Sequence, residues 1–158
     1  MENITIRRAT LADLDVLLTF EQGVIEAERP FDVTIKNGDT HYYDIVHMIE
    51  APNVELLVAE TDGELIGSGY ARIESSKVYL QHARHSYMGF MYVKPGHRGK
   101  GVNKMIIDAL KQWSVTQNVT ELRLQVYYDN APAIKAYEKV GFTKLMVKMR
   151  MELPALSH

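Results

Sequence analysis

The chain has no cysteine in its 158 residues. That excludes a disulfide scaffold, a thiolate zinc site and a cysteine nucleophile. No apolar run approaches the ~20 residues of a membrane span, so no membrane association is expected. The stretch Met1-Glu2-Asn3-Ile4-Thr5-Ile6-Arg7-Arg8 lacks the apolar core of a signal peptide. An excess of positive charge is missing too: 18 Lys and Arg stand against 20 Asp and Glu, a net charge of −2. Duplex nucleic acid usually demands a basic face, so no nucleic-acid partner is expected. There is no repeat, linker or low-complexity tract. These absences point to one cytoplasmic domain spanning residues 1–158.

What is present is hydrophobic patterning of two periods. Ile4 and Ile6 begin a short strand. Leu11, Leu14, Leu17, Leu18 and Phe20 follow at helical spacing, and Thr10 with Asp13 resembles a capping box. The pattern breaks around Arg29-Pro30-Phe31-Asp32. A second helix is expected over Tyr42–Glu50, ended by Pro52. Val54–Ala59 and Leu65–Ile73 read as strands joined by an Asp62-Gly63 hairpin turn. Residues 74–86 carry little pattern. Tyr87–Val93 is a further strand, stopped by Pro95-Gly96. Val102, Met105, Ile106, Ala109, Leu110 and Trp113 line one face of a helix, with Trp113 expected in the core. Leu122, Leu124 and Val126 alternate as a strand. Pro132 suits the first turn of a helix capped by Gly141. Phe142–Leu153 reads as a last strand or pair of strands. The fold class is α/β, with antiparallel pairs early and a crossover helix late.

The segment between the Tyr87–Val93 strand and the helix from Val102 carries chemistry. Gly96-His97-Arg98-Gly99-Lys100-Gly101 places glycines and cations at a helix N-terminus. Unpaired N–H groups and the helix dipole favour an anion there. A solvated basic turn is the plainer alternative. The G-x-x-x-x-G spacing lacks the Lys-Ser/Thr of a nucleotide triphosphate loop, because Val102-Asn103 follows instead. The dinucleotide pattern G-x-G-x-x-G fails at Lys104.

Tyr92-Val93-Lys94-Pro95 followed by Arg98-Gly99-Lys100-Gly101-Val102-Asn103 resembles the Q/R-x-x-G-x-G/A motif of the GNAT superfamily of N-acetyltransferases. Asn103 departs from the small residue usual there. A second segment, Asn130-Ala131-Pro132-Ala133 through Tyr137 to Gly141-Phe142, is similar to the family's N-x-x-A-x-x-x-Y-x-x-x-G-F pattern. The resemblance covers residues 54–145 well and the first 50 only in outline. Asn130 alone would be read as a helix cap, and Tyr137 alone as a packed aromatic.

The resemblance implies a mostly antiparallel mixed sheet, flanked by about four helices, with a splayed parallel strand pair, one strand ending at Val93 and the next running Glu121–Tyr127. It implies acetyl-CoA as cosubstrate. Its pantetheine would pair with Met91, Tyr92 and Val93. Its diphosphate would sit on the N–H groups from Arg98 to Lys104, with Asn130, Ala133 and Tyr137 alongside. An amine would attack the thioester directly, with Tyr137 as general acid to the thiolate. A strand N–H near Met91–Val93 would meet the oxyanion.

The family's usual strand glutamate has no counterpart, and Gly89 stands about where it would fall. Glu74, His85 or a water chain are the candidate bases, with His82 nearby; each of these side chains is also expected in a solvated loop. His82 and His85 lack further ligands, so no metal is expected. The acceptor is a small-molecule amine or a peptide or protein amine. Glu26, Glu28, Asp32 and Asp39 make the region before Tyr42-Tyr43 acidic, which suits a cation or a solvated surface equally. A non-catalytic acyl-CoA sensor of the same fold is the alternative. The methionine-rich Lys144–Leu153 stretch, with Val147 in it, suggests a homodimer.

Overall fold

The computed structural model describes residues 3–156. The chain divides into two compact units, Met1–Gln125 and Val126–His158.

In the first unit, β1 (Thr5–Arg8), β2 (Val54–Thr61), β3 (Glu64–Ser75), β4 (Arg84–Val93) and β5 (Leu122–Arg123) form one sheet in the order β1-β2-β3-β4-β5. The first three pairings are antiparallel and the last is parallel. Asp62 and Gly63 both take positive φ, 51° and 75°, as a two-residue hairpin between β2 and β3 requires. Thus the α/β sheet with one parallel pair is present.

Three helices belong to this unit: α1 (Leu14–Glu28), α2 (Ile45–Glu50) and α3 (Val102–Thr116). The start of α1 is set by a short 3-10 turn, Leu11–Asp13, where the Thr10 N–H donates to Asp13 Oδ2 at 2.8 Å. Arg7 grips the same carboxylate with both guanidinium ends at 2.9 Å, tying β1 to the helix entry. The second helix is shorter than its expected Tyr42–Glu50. Asp44 caps it by accepting from the His47 N–H, so Tyr42 and Tyr43 lie before the helix.

α1 and α3 cover opposite faces of the sheet. Leu17, Phe20, Ile45 and Met48 bury one face, with Tyr43 and Tyr92 packed against them. Val102, Ile106, Ile107 and Leu110 of α3 are buried on the other. β4 touches both layers. Ser86 meets Ser114 of α3 (Oγ–Oγ 2.9 Å). Tyr87 and Gly89 instead lie against Tyr70 on the α1 side. Phe90 then stacks on Tyr43 and Tyr92 packs on Phe20, again on the α1 side.

Two sequence expectations are corrected. The strand expected over Glu121–Tyr127 is a ladder of two pairs, Ser86 with Leu122 and Tyr87 with Arg123. Among the described residues, Phe142 onward forms no strand. Its apolar alternation satisfies the strand period, but a strand exists only through a ladder partner.

The second unit contains α4 (Ala131–Lys139), with Pro132 in its first turn and Gly141 at φ 112° just past its end. Phe142 returns its N–H to the Tyr137 carbonyl at 3.1 Å, and the two rings meet edge to face at 5.9 Å.

Candidate acyl-transfer site

The middle of β4 is irregular. Gly89 pairs with Tyr70 and Tyr92 with Ser68, so two residues, Phe90 and Met91, face the single Gly69 across the ladder. This is a β-bulge. Phe90 takes a left-handed φ of 54°, a conformation that strains a residue with a bulky side chain. It is buried, and its carbonyl accepts from Ser68 Oγ at 2.9 Å. Its ring stacks on Tyr43 at 4.6 Å, and its backbone offsets part of the effect of burial on the Tyr43 phenol. The parallel ladder with β5 has already ended at Tyr87, so Met88 to Val93 have no β5 pairing. That edge offers backbone groups to an extended ligand, as the resemblance implies for Met91, Tyr92 and Val93.

A 3-10 turn, Pro95–His97, follows β4 and leads into α3. Gly99 and Gly101 both adopt left-handed φ, 79° and 82°. Successive turns of this kind aim main-chain N–H groups into a concave nest. Met105 is the first N–H to bond back, to the Gly101 carbonyl at 3.1 Å. The N–H groups of Val102, Asn103 and Lys104 therefore project from the helix start. A Cβ placed on Gly96, Gly99 or Gly101 would meet nothing within 4 Å, so the hollow is open. Open space, projecting N–H groups and an exposed Lys100 suit a diphosphate. Asn103, at the departure from the motif, presents its backbone like its neighbours. Arg98 bonds the Val93 carbonyl at 3.0 Å, linking the loop to the end of β4. Lys104 is held by Asp108 at 2.6 Å, so its charge is partly neutralised.

Asn130 caps α4: its Oδ1 accepts from the Ala133 N–H at 3.3 Å. The same atom pair accounts for both motif residues as structure, which leaves any ligand role of Asn130 and Ala133 additional to the cap. Trp113 is half-buried on α3.

The candidate bases are not solvated loop residues. Glu74 and His85 face one another across the β3–β4 ladder. His85 Nε2 lies 3.2 Å from Glu74 Oε1, and its Nδ1 lies 2.9 Å from Ser76 Oγ. Glu74 Oε2 is also bound by Arg72 at 2.6 Å. Both groups are thus committed, and five residues of strand separate His85 from Phe90, roughly 16 Å. His82 is exposed, 3.9 Å from Glu121.

Where the family's glutamate would project, Tyr70 lies over Gly89. The Tyr70 phenol is buried and accepts a hydrogen bond from Arg72, whose guanidinium also lies over the Tyr70 and Tyr87 rings at 5.5 and 5.7 Å. Burial pushes this phenol up to about 12.

Of Glu26, Glu28, Asp32 and Asp39, the acidic residues before Tyr42-Tyr43, Glu28 is the half-buried one with a raised carboxyl. It ends α1, where the Tyr42 phenol interacts with its carboxyl. Burial holds its carboxyl above the ordinary range, with the Tyr42 bond pulling against this and Asp32 adding to it. The Glu28 charge is felt by Tyr43 and Tyr87 as well. The other acidic residues are engaged elsewhere. Glu26 pairs with Arg29 at 2.8 Å, Asp32 accepts from the Thr34 N–H at 2.9 Å, and Asp39 lies 3.6 Å from His41.

Comparison with known proteins bears on the family and the fold. The model of the acetyltransferase (GNAT) family matches residues 22–142. An N-alpha-acetyltransferase of Sulfolobus acidocaldarius is 28% identical over 148 residues, covering 90% of this chain and 82% of the relative. An aminoglycoside N(6′)-acetyltransferase type 1 of Stenotrophomonas maltophilia is 26% identical over 155 residues, 94% of each chain. The crystal structure of a predicted acetyltransferase from Clostridium acetobutylicum with acetyl-CoA superposes with a TM-score of 0.71 at 18% identity, covering 95% of this chain and 96% of that one.

Proposed function

The chain belongs to the GNAT family of acetyltransferases, and on that premise we propose that it moves an acetyl group from acetyl-CoA to a primary amine by direct attack within a ternary complex. The observation that carries this is the pair of left-handed glycines, Gly99 and Gly101, set between the bulged β4 and the start of α3. Arg98, Lys100 and the N–H groups through Lys104 hold the diphosphate. The unpaired edge of Met91 to Val93 holds the pantetheine.

The chemistry needs a deprotonated amine. At pH 7 the neutral form of a lysine-like amine costs roughly 4.6 kcal/mol, and that of an α-amine about 1.4 kcal/mol. Glu28 takes this proton. A carboxylate raised by burial is a better base than an exposed one, and Tyr42 orients it. The acidic end of α1 also attracts an ammonium before reaction. As the nitrogen bonds to the acetyl carbon, negative charge grows on the carbonyl oxygen. Backbone N–H groups at the bulge stabilise it. The C–S bond then breaks, Tyr137 gives its phenolic proton to the thiolate, and the proton still carried by the nitrogen is lost through solvent, which restores the phenol. A phenol is protonated at neutral pH, as that role requires. Tyr137 is assigned on its motif, together with Asn130 and Ala133.

Protein N-termini and aminoglycosides are the acceptor classes suggested by the two relatives. The test is release of free CoA thiol with a peptide bearing a free α-amine and with neamine. Tyr137→Phe is expected to lower kcat with acetyl-CoA affinity intact, and Arg98→Ala to weaken that affinity. Tight acetyl-CoA binding without thiol release for any amine would favour the sensor alternative. No thermal shift with acetyl-CoA would defeat both.

A further inference from the structure

Glu21 is a carboxylate with no solvent exposure, in the middle of α1, and the proposed chemistry makes no use of it. Its hydrogen bonds all reach one short segment. Oε2 accepts from the N–H groups of two consecutive residues, Tyr42 at 2.9 Å and Tyr43 at 2.8 Å. Oε1 meets His41 Nδ1 at 2.7 Å. A buried carboxylate is costly unless its oxygens are satisfied, so this segment and this side chain fix one another.

The two tyrosines it holds diverge. Their rings stand edge to face at 5.7 Å with an interplanar angle of 87°. Tyr42 runs to Glu28. Tyr43 stacks on Phe90, the bulge residue, at 4.6 Å with an interplanar angle of 23°. One oxygen atom therefore sets where Tyr42 reaches the carboxylate and where Tyr43 reaches the bulge.

We propose that Glu21 is the positioning residue of the acceptor site, granted that Glu28, Tyr42 and Tyr43 receive the amine. It touches main chain, not substrate, and acts by holding residues 42 and 43 in register with both Glu28 and Phe90. The rest of the segment has its own anchors on α1. Gln22 donates to the Thr40 carbonyl at 3.0 Å. Arg29 donates to the Lys36 carbonyl at 2.7 Å and the Gly38 carbonyl at 3.2 Å. Loss of Glu21 thus frees the two tyrosines without releasing the whole connection.

The test compares Glu21→Ala, Glu21→Asp and Glu21→Gln, using whichever of the α-amine peptide and neamine the wild type acetylates. Aspartate keeps the charge but withdraws the oxygens by one methylene. Glutamine keeps the reach: its oxygen can accept both N–H groups while its amide faces His41. The expected result is an amine KM raised at least tenfold in the alanine and aspartate variants. Acetyl-CoA affinity, measured by calorimetry, stays within about twofold, and glutamine restores most of the loss. An aspartate variant indistinguishable from wild type would overturn the positioning role. So would a glutamine variant that folds, binds acetyl-CoA and is as impaired as aspartate. If alanine does not fold, the aspartate and glutamine variants decide. If the wild type releases no CoA with either probe, the acetyl-transfer function itself falls, and this role with it.

Discussion

Tyr70 covers Gly89: a Cβ built on the glycine would lie 2.7 Å from Tyr70 Cε1 and 2.9 Å from its hydroxyl oxygen. The ring cannot swing away freely, because it packs in the core with Tyr43 and Tyr87 around it. The absent strand glutamate is therefore a matter of space as well as of sequence. Gly89→Ala should destabilise the fold by about 1–3 kcal/mol, the usual range for overpacking. Urea unfolding of the two proteins measures it.

Gly96 and Gly101 lie in one loop but are not equivalent. Only Gly101 has a positive φ, 82°, and both have open space beyond Cα. Gly96→Ala should leave acetyl-CoA affinity within about twofold. Gly101→Ala should strain the left-handed turn by about 1–2 kcal/mol and weaken acetyl-CoA binding roughly tenfold or more. Isothermal titration of both variants makes the comparison.

Asp108 competes for Lys104, which it holds at 2.6 Å on the helix surface. An exposed pair of this kind is worth about 0.2–1 kcal/mol. Asp108→Ala should tighten acetyl-CoA binding by roughly twofold to threefold. The gain should shrink at high salt, which a titration at two ionic strengths reveals.

His41 reports on Glu21. The hydrogen bond to Glu21, then its charge, raises the imidazole above its ordinary 6.5. A raised folded value stabilises the protein most fully below 6.5, and the contribution is lost as pH rises through the folded value. NMR titration of the ring should show the elevated midpoint, and Glu21→Gln should return it toward 6.5. Asp39 nearby should sustain only a small residual shift.

Asp13 works in the opposite sense. Arg7's hydrogen bonds lower its carboxyl below the ordinary 3.8, against the effect of burial. That contribution is present above 3.8 and lost as pH falls through the lowered folded value. Asp13→Asn should cost roughly 2 kcal/mol at pH 7, and the gap to wild type should be smaller at pH 2. Chemical denaturation at the two pH values checks this.

Much of the sheet was legible because β2 and β3 alternate around an Asp62-Gly63 turn, and α3 follows a regular 3.6 period from Val102. The loop between β4 and α3 was legible as a turn because its glycines interrupt the patterning between a strand and a helix of 3.6 period. Glu21 was not, because a lone glutamate on an amphipathic helix looks like any solvated residue; its burial depends on Tyr42 and Tyr43 folding back from twenty residues away. Glu74 and His85 looked solvated for a similar reason. Their partnership comes from antiparallel register, which no local pattern encodes. The bulge at Phe90 was hidden because its extra residue is itself apolar. Phe142 onward misled because alternation is necessary for a strand and not sufficient.

The bulge also gives β4 two parities. Up to Gly89 the odd-numbered residues face α1 and the even-numbered ones face α3, as Tyr87 and Ser86 do. Beyond it the assignment inverts: Phe90 and Tyr92 face the α1 layer, and Met91 lies beside Ile106 on the α3 side of Gly69. Deleting one residue at 90–91 would therefore do more than smooth a kink. It would carry Tyr92 away from Phe20 into the space of α3, and would turn over every side chain from there to the glycine loop. Chain length in this strand sets a phase rather than being a free variable: changes by two residues keep the layers in step, and changes by one exchange them.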